Sequence, residues 1–111
     1  MSKRVEHNKL VRDKIPEIIR ASGNKYEISN LLDDEYIEAL RQKLVEEAEE
    51  VVIAKPKELP QELADVMEVI EALMTATGIE PEKVREIQKE KRSQRGGFDN
   101  RIKLLWTETN N

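Results

Sequence analysis

Residues 33–77 read DDEYIEALRQKLVEEAEEVVIAKPKELPQELADVMEVIEALMTAT, and the fold turns on how this stretch is divided. Placed on a 100° wheel, its first half puts Ile37, Leu40, Leu44, Ala48 and Val51 on one stripe. Its second half does the same with Leu59, Leu63, Val66, Ile70, Leu73 and Thr77. Between the stripes Pro56 interrupts the helical period, and Pro60 suits the first turn of a new helix. The pattern predicts a tight antiparallel hairpin: one helix capped by Asp33 and Asp34 and running to about Lys55, and another running through Thr77 to a stop at Gly78.

The acids of this hairpin divide by direction. Glu47 and Glu50 flank the apolar stripe of the first helix, and Glu62 and Asp65 lie at the edge of the second stripe. Glu46, Glu49, Glu68 and Glu71 point outward. Glu50 and Glu62 are equidistant from Pro56, as are Glu47 and Asp65, so an antiparallel fold sets the flanking acids level. Four carboxylates at a partly buried interface cost about several kcal/mol unless they protonate or bind cations. A divalent ion on hard oxygen donors resolves the cost, which favours Mg²⁺ or Mn²⁺ over zinc. Spacing alone also admits surface acids paired with lysine and arginine.

Working outward, Asp13 reads as a cap for a short helix with Pro16 in its first turn, Ile15, Ile18 and Ile19 on one side and Gly23 as its stop. Residues 24–32 carry no sustained period and read as a connection. A fourth helix is expected from near Pro81 to just before Gly96-Gly97. After it comes a tail in which Ile102, Leu104, Leu105 and Trp106 offer apolar surface for docking. The expectation is one all-α domain over residues 1–111, a bundle of about four helices. At 111 residues and 38% charged, such a chain is expected to complete its core as a homo-oligomer, a dimer or tetramer.

Composition narrows the chemistry. The absence of cysteine removes disulfides, thiolate metal sites and cysteine nucleophiles. The single histidine, His7, sits in a polar stretch and reads as a solvated imidazole. A net charge of −4 and a pI near 5.2 disfavour a general nucleic-acid groove. Residues 1–9 lack the apolar segment of a signal peptide and no run is long enough to span a bilayer, so a cytoplasmic protein with no membrane partner is expected.

Glu46-Glu47-Ala48-Glu49-Glu50, followed after eleven residues by Glu62-Leu63-Ala64-Asp65, resembles the EExxE and ExxD signature of the MazG-like all-α NTP pyrophosphatases. The stretch from Lys9 to Ile19, KLVRDKIPEII, resembles the opening of a phosphoribosyl-ATP pyrophosphohydrolase-like subgroup. Lys91-Arg92-Ser93-Gln94-Arg95-Gly96-Gly97-Phe98 is similar to that subgroup's basic K-x-x-x-R-G-x-F element. By motif, the resemblance implies Glu47, Glu50, Glu62 and Asp65 as metal ligands, the same four the wheel selects. Glu46 falls on the leading acid and takes a supporting place behind them.

The reaction implied by the resemblance is Mg²⁺-dependent hydrolysis of a nucleotide between its α and β phosphates, with Glu47 or Glu50 serving the attacking water. A modified or surplus nucleoside triphosphate is the first substrate expectation, and phosphoribosyl-ATP of histidine biosynthesis the second. Lys91 and Arg95 continue the line of Val84 and Ile87 and are the phosphate-binding candidates, with Arg12 and Lys14 as further ones. The competing reading for these two cations is complementation of the fourth helix's C-terminus, and Phe98 and Trp106 read either as tail anchors or as a stacking surface for a base. Two readings of other classes stand beside the enzyme: a helical interaction module without chemistry, and a metal-binding nucleotide sensor.

Overall fold

The computed structural model describes residues 3–110 and contains four helices, with no strand among the described residues: α1 (Ile15–Ala21), α2 (Asp33–Ile53), α3 (Leu59–Thr77) and α4 (Pro81–Arg95). The all-α expectation holds, and the helix bounds agree with the sequence signals to within about a turn. Pro16, Pro60 and Pro81 each occupy a first turn, where the missing N–H removes nothing from the helical ladder. Gly78 ends α3 at φ +70°, a left-handed conformation that glycine enters at little cost.

The expected caps differ. Asp13 makes no side-chain cap bond; Lys14 holds the position before α1, and a turn formed by Ile15 N donating to the Arg12 carbonyl leads into the helix. Asp33 and Asp34 lie inside α2, where Leu32 is the cap residue. There they complement the helix N-terminus by charge, while Glu35 reaches back to accept from the Leu32 N–H at 3.4 Å.

Two compact units make up the chain, residues 1–79 and 80–111. In the first, α2 and α3 pack together, with Leu40 (3% exposed) and Val69 (7%) as the buried side chains among the described residues. The packed face of α3 is rotated from the apolar stripe. Leu63, Ile70 and Thr77 are exposed, while Leu59, Glu62, Asp65, Val66, Val69 and Leu73 are buried or half-buried. An apolar-only wheel leaves Glu62 and Asp65 at the edge, and including them turns the face toward Val69. On α2, Ile37, Leu40, Leu44 and Val51 turn inward as expected, whereas Ala48 is exposed. In the second unit every residue from Pro81 to Asn110 is exposed, including Ile102, Leu104, Leu105 and Trp106 of the tail. No helix among the described residues is long and apolar enough to cross a membrane.

Candidate metal centre

The α2–α3 pairing brings Glu47, Glu62 and Asp65 together. Each offers one carboxylate oxygen, and the three oxygens lie within 4.8 Å of one another at half-buried positions. Glu47 is more enclosed than Asp65, its side chain 13% exposed against 40%, because it projects from α2 beside the packed stripe. Glu62 and Asp65 are three residues apart and share one face of α3. Glu50 is exposed and lies outside this trio, although its charge still acts on Glu62.

The electrostatics show the strain of the arrangement. Partial burial, then the like charges of Asp65, Glu50, Glu47 and Glu58, pushes the Glu62 carboxyl above its ordinary value. Among the described residues no cation pairs with Glu62, whereas Glu47 and Asp65, the other two acids of the trio, are each partnered. Lys43 Nζ lies 3.6 Å from Glu47 and 3.4 Å from Glu46, and Arg12 Nη2 donates to Asp65 Oδ1 at 2.6 Å. Burial alone would raise the Glu46 carboxyl, but Lys43 and Lys9 outweigh it and hold the group below its ordinary value. Glu46 was expected to point into solvent. It is instead half-buried and clamped between Lys43 and Lys9 beside the trio, which suits the supporting place the motif gives it.

The donor set fits a hard divalent ion: three carboxylates from two helices, close enough for one ion to bridge, with no sulfur or imidazole among them. An adjoining cleft of about 510 Å³ is lined by cations Lys9, Arg12 and Lys43, by apolar Val11, Ile15 and Ile19, by Glu47 and Asp65, and by His7, which stays exposed there. Lys9 and Lys43 were missed as site residues. For Lys43 a signal existed, since it precedes Glu46 by three residues and Glu47 by four on one helix; the arrival of Lys9 depends on the tertiary course of the N-terminal arm.

Of the expected phosphate-binding residues, Arg12 is committed to Asp65 and Lys14 is exposed at the start of α1. Lys91 and Arg95 belong to the second unit. Both are exposed on α4, and Arg95 helps line a cleft of about 440 Å³ formed with residues 96–102. Its loop opens at Gly96, φ +84°, and closes through Arg101 N donating to the Phe98 carbonyl at 3.0 Å.

A family model described as phosphoribosyl-ATP pyrophosphohydrolase matches residues 17–92, which include all the acids of the trio. The chain is also 53% identical over 49 residues to an uncharacterized protein from Mycolicibacterium smegmatis. That alignment covers 44% of this chain and 50% of the relative, so the chain matches about half the length of the curated relative. No solved structure matches.

Proposed function

The chain belongs to the phosphoribosyl-ATP pyrophosphohydrolase family, within the MazG-like all-α NTP pyrophosphatases, and on that premise we propose that it is a Mg²⁺-dependent nucleotide pyrophosphohydrolase. The observation that carries this reading is the convergence of Glu47, Glu62 and Asp65 from two helices inside the matched segment. An interaction module has no use for three half-buried carboxylates whose partial burial and mutual repulsion raise the proton affinity of Glu62.

Glu47, Glu62 and Asp65 would hold the ion, with Glu50 completing the set from the exposed flank of α2. When bound, Mg²⁺ neutralises charge on phosphate oxygens and lowers the pKa of water. The chain's own groups supply the rest. A carboxylate of α2, Glu47 or Glu50, orients the attacking water and accepts its proton. The water oxygen bonds to the α phosphorus, the bond from that phosphorus to the α–β bridging oxygen breaks, and pyrophosphate leaves. Lys91 and Arg95, with Arg12 and Lys14, bind the phosphates, arginine by its bidentate fork and lysine as a point charge.

For the substrate, a modified or surplus nucleoside triphosphate comes first, in a house-cleaning role. Phosphoribosyl-ATP is the second reading, favoured by the description of the matching family. Two further proposals concern the whole chain. It acts as a single domain, because the family match runs unbroken across the junction of the two units. It works as a homo-oligomer, because among the described residues two buried side chains make a small core while Val45, Val52, Met67 and other large apolar groups of the hairpin stay exposed. Sedimentation at micromolar concentration should show a dimer or tetramer, and a monomer would overturn that part.

The decisive experiment measures pyrophosphate release from ordinary and modified nucleoside triphosphates and from phosphoribosyl-ATP, each with Mg²⁺, Mn²⁺ or EDTA. Metal-dependent release that is lost in Glu47→Gln is expected. Tight nucleotide binding without release would make the protein a sensor, and neither binding nor release would leave the interaction module.

A further inference from the structure

Asp65 has two claimants. Its Oδ1 accepts from Arg12 Nη2 at 2.6 Å, across 53 residues of sequence, and the same carboxylate converges with Glu47 and Glu62. The pair uses one guanidinium nitrogen rather than the fork. Both partners are about half exposed, so the contact is of the weak, easily exchanged kind. Arg12 sits on an irregular arm that precedes α1, and the arm's other ion pair to the hairpin is longer and likewise exposed, Lys9 to Glu46 at 3.4 Å. The cleft of about 510 Å³ opens between this arm and the hairpin, with Arg12 on its wall beside apolar Val11, Ile15 and Ile19. A cation there faces the acids on one side and, on the other, space that suits an anionic ligand with an apolar part.

We propose that Arg12 is a two-position residue: it neutralises Asp65 until that carboxylate is given up to a divalent ion, and it then turns to a phosphate of the nucleotide in the cleft. The inference rests on the pyrophosphohydrolase reading and adds an order to it. Having to displace the guanidinium from Asp65 weakens metal binding before nucleotide arrives, and turning the freed guanidinium to a phosphate strengthens nucleotide binding once metal is present. Metal and nucleotide therefore favour one another reciprocally through Arg12.

The test is calorimetric titration of the full chain with Mn²⁺ alone, and with a deoxynucleoside triphosphate analogue carrying a methylene in the α–β bridge. It is run on wild type, Arg12→Gln, Arg4→Gln and Arg85→Gln. The last two each remove one positive charge, Arg4 from an exposed pair with Glu6 on the same arm and Arg85 from a surface pair with Glu82 on α4. Arg12→Gln should bind Mn²⁺ about two- to fivefold more tightly than wild type, the range that loss of an exposed ion pair corresponds to. At saturating Mn²⁺ it should bind the analogue about fivefold or more weakly, the gain of a charge-assisted phosphate contact having been removed. The two control variants should leave Mn²⁺ affinity within about twofold of wild type. Hydrogen exchange of residues 9–13 should rise on adding Mn²⁺ to wild type and fall again with the analogue.

Unchanged or weaker Mn²⁺ binding by Arg12→Gln overturns the proposal, because Arg12 would then orient Asp65 rather than compete for it. Unchanged analogue binding overturns it as well, as does an equal Mn²⁺ gain in all three variants. Failure of the underlying reading looks different: Mn²⁺ binding insensitive to Asp65→Asn, or no pyrophosphate release from any nucleotide by wild type. Wild type that binds no Mn²⁺ sinks both.

Discussion

The α2–α3 hairpin and the stretch from α4 to the C-terminus are both dense in charge, yet they hold it in opposite ways. In the hairpin, Glu47 is 13% exposed and sits within reach of Glu62 and Asp65, so a packing partner has converted a sequence pattern into a cluster of converging acids. In the second unit Lys91, Arg92 and Arg95 are all exposed, and Phe98 is 97% exposed. The contrast teaches that a charge acquires a specific role when a neighbouring element restricts its solvation. Where none does, motif resemblance alone suggests the role.

The sharpest way to break the comparison is to neutralise the trio. Glu47→Gln or Asp65→Asn should lower metal-dependent pyrophosphate release by about a hundredfold or more, as expected when a ligand of a catalytic ion is lost. Circular dichroism should show the helices intact and the melting temperature unchanged or higher, because like-charge repulsion is relieved. Near-wild-type turnover in both variants would remove the trio from the chemistry.

On the other side of the comparison, Lys91→Ala and Arg95→Ala should raise KM by about tenfold each, with Mn²⁺ affinity kept. If instead Mn²⁺ affinity falls while KM holds, the two cations serve the fold, and α4 is as structural as the hairpin is functional.

Within α2, Glu50→Gln should depress kcat and leave Mn²⁺ affinity closer to wild type than Glu47→Gln does, by a margin of about threefold or more, since Glu50 stands outside the trio. Equal losses of metal affinity in both variants would place Glu50 fully among the ligands.

The smallest expected effect is on stability and pH. Glu62 has its proton affinity raised in the folded chain, so the native state binds more protons than the unfolded chain between the ordinary carboxylate value and the raised one. Stability therefore falls as pH rises through that window. In EDTA, the melting temperature of wild type should decline across it, and Glu62→Gln should flatten the decline. Mg²⁺ should restore stability at the upper end by binding the folded form. A profile that Glu62→Gln leaves unaltered would mean the acids do not crowd one another in solution.

Much of this was legible from residue order. Proline at 16, 60 and 81 and glycine at 78 and 96 punctuate the helices, because ring closure and a missing Cβ act locally and need no tertiary partner. The cap assignments for Asp13, Asp33 and Asp34 were less secure: an acid near a helix start can cap by hydrogen bond or complement the dipole by charge, and one-residue shifts decide which. For the site, helical periodicity chose Glu47, Glu62 and Asp65 correctly as inward-facing. It gave Glu50 the same weight, although the packed hairpin leaves that residue exposed.

By itself, then, the sequence determined four helices, a hairpin about Pro56 and an acid-bearing inner flank, since each follows from backbone sterics and the 3.6-residue period. Only the tertiary structure decided that α3 packs on Val69 rather than Ile70, that Glu46 is held by Lys43 and Lys9, and that Arg12 crosses 53 residues to reach Asp65. Those facts depend on the rotation of one helix against another and on the course of an irregular arm, which no local period encodes.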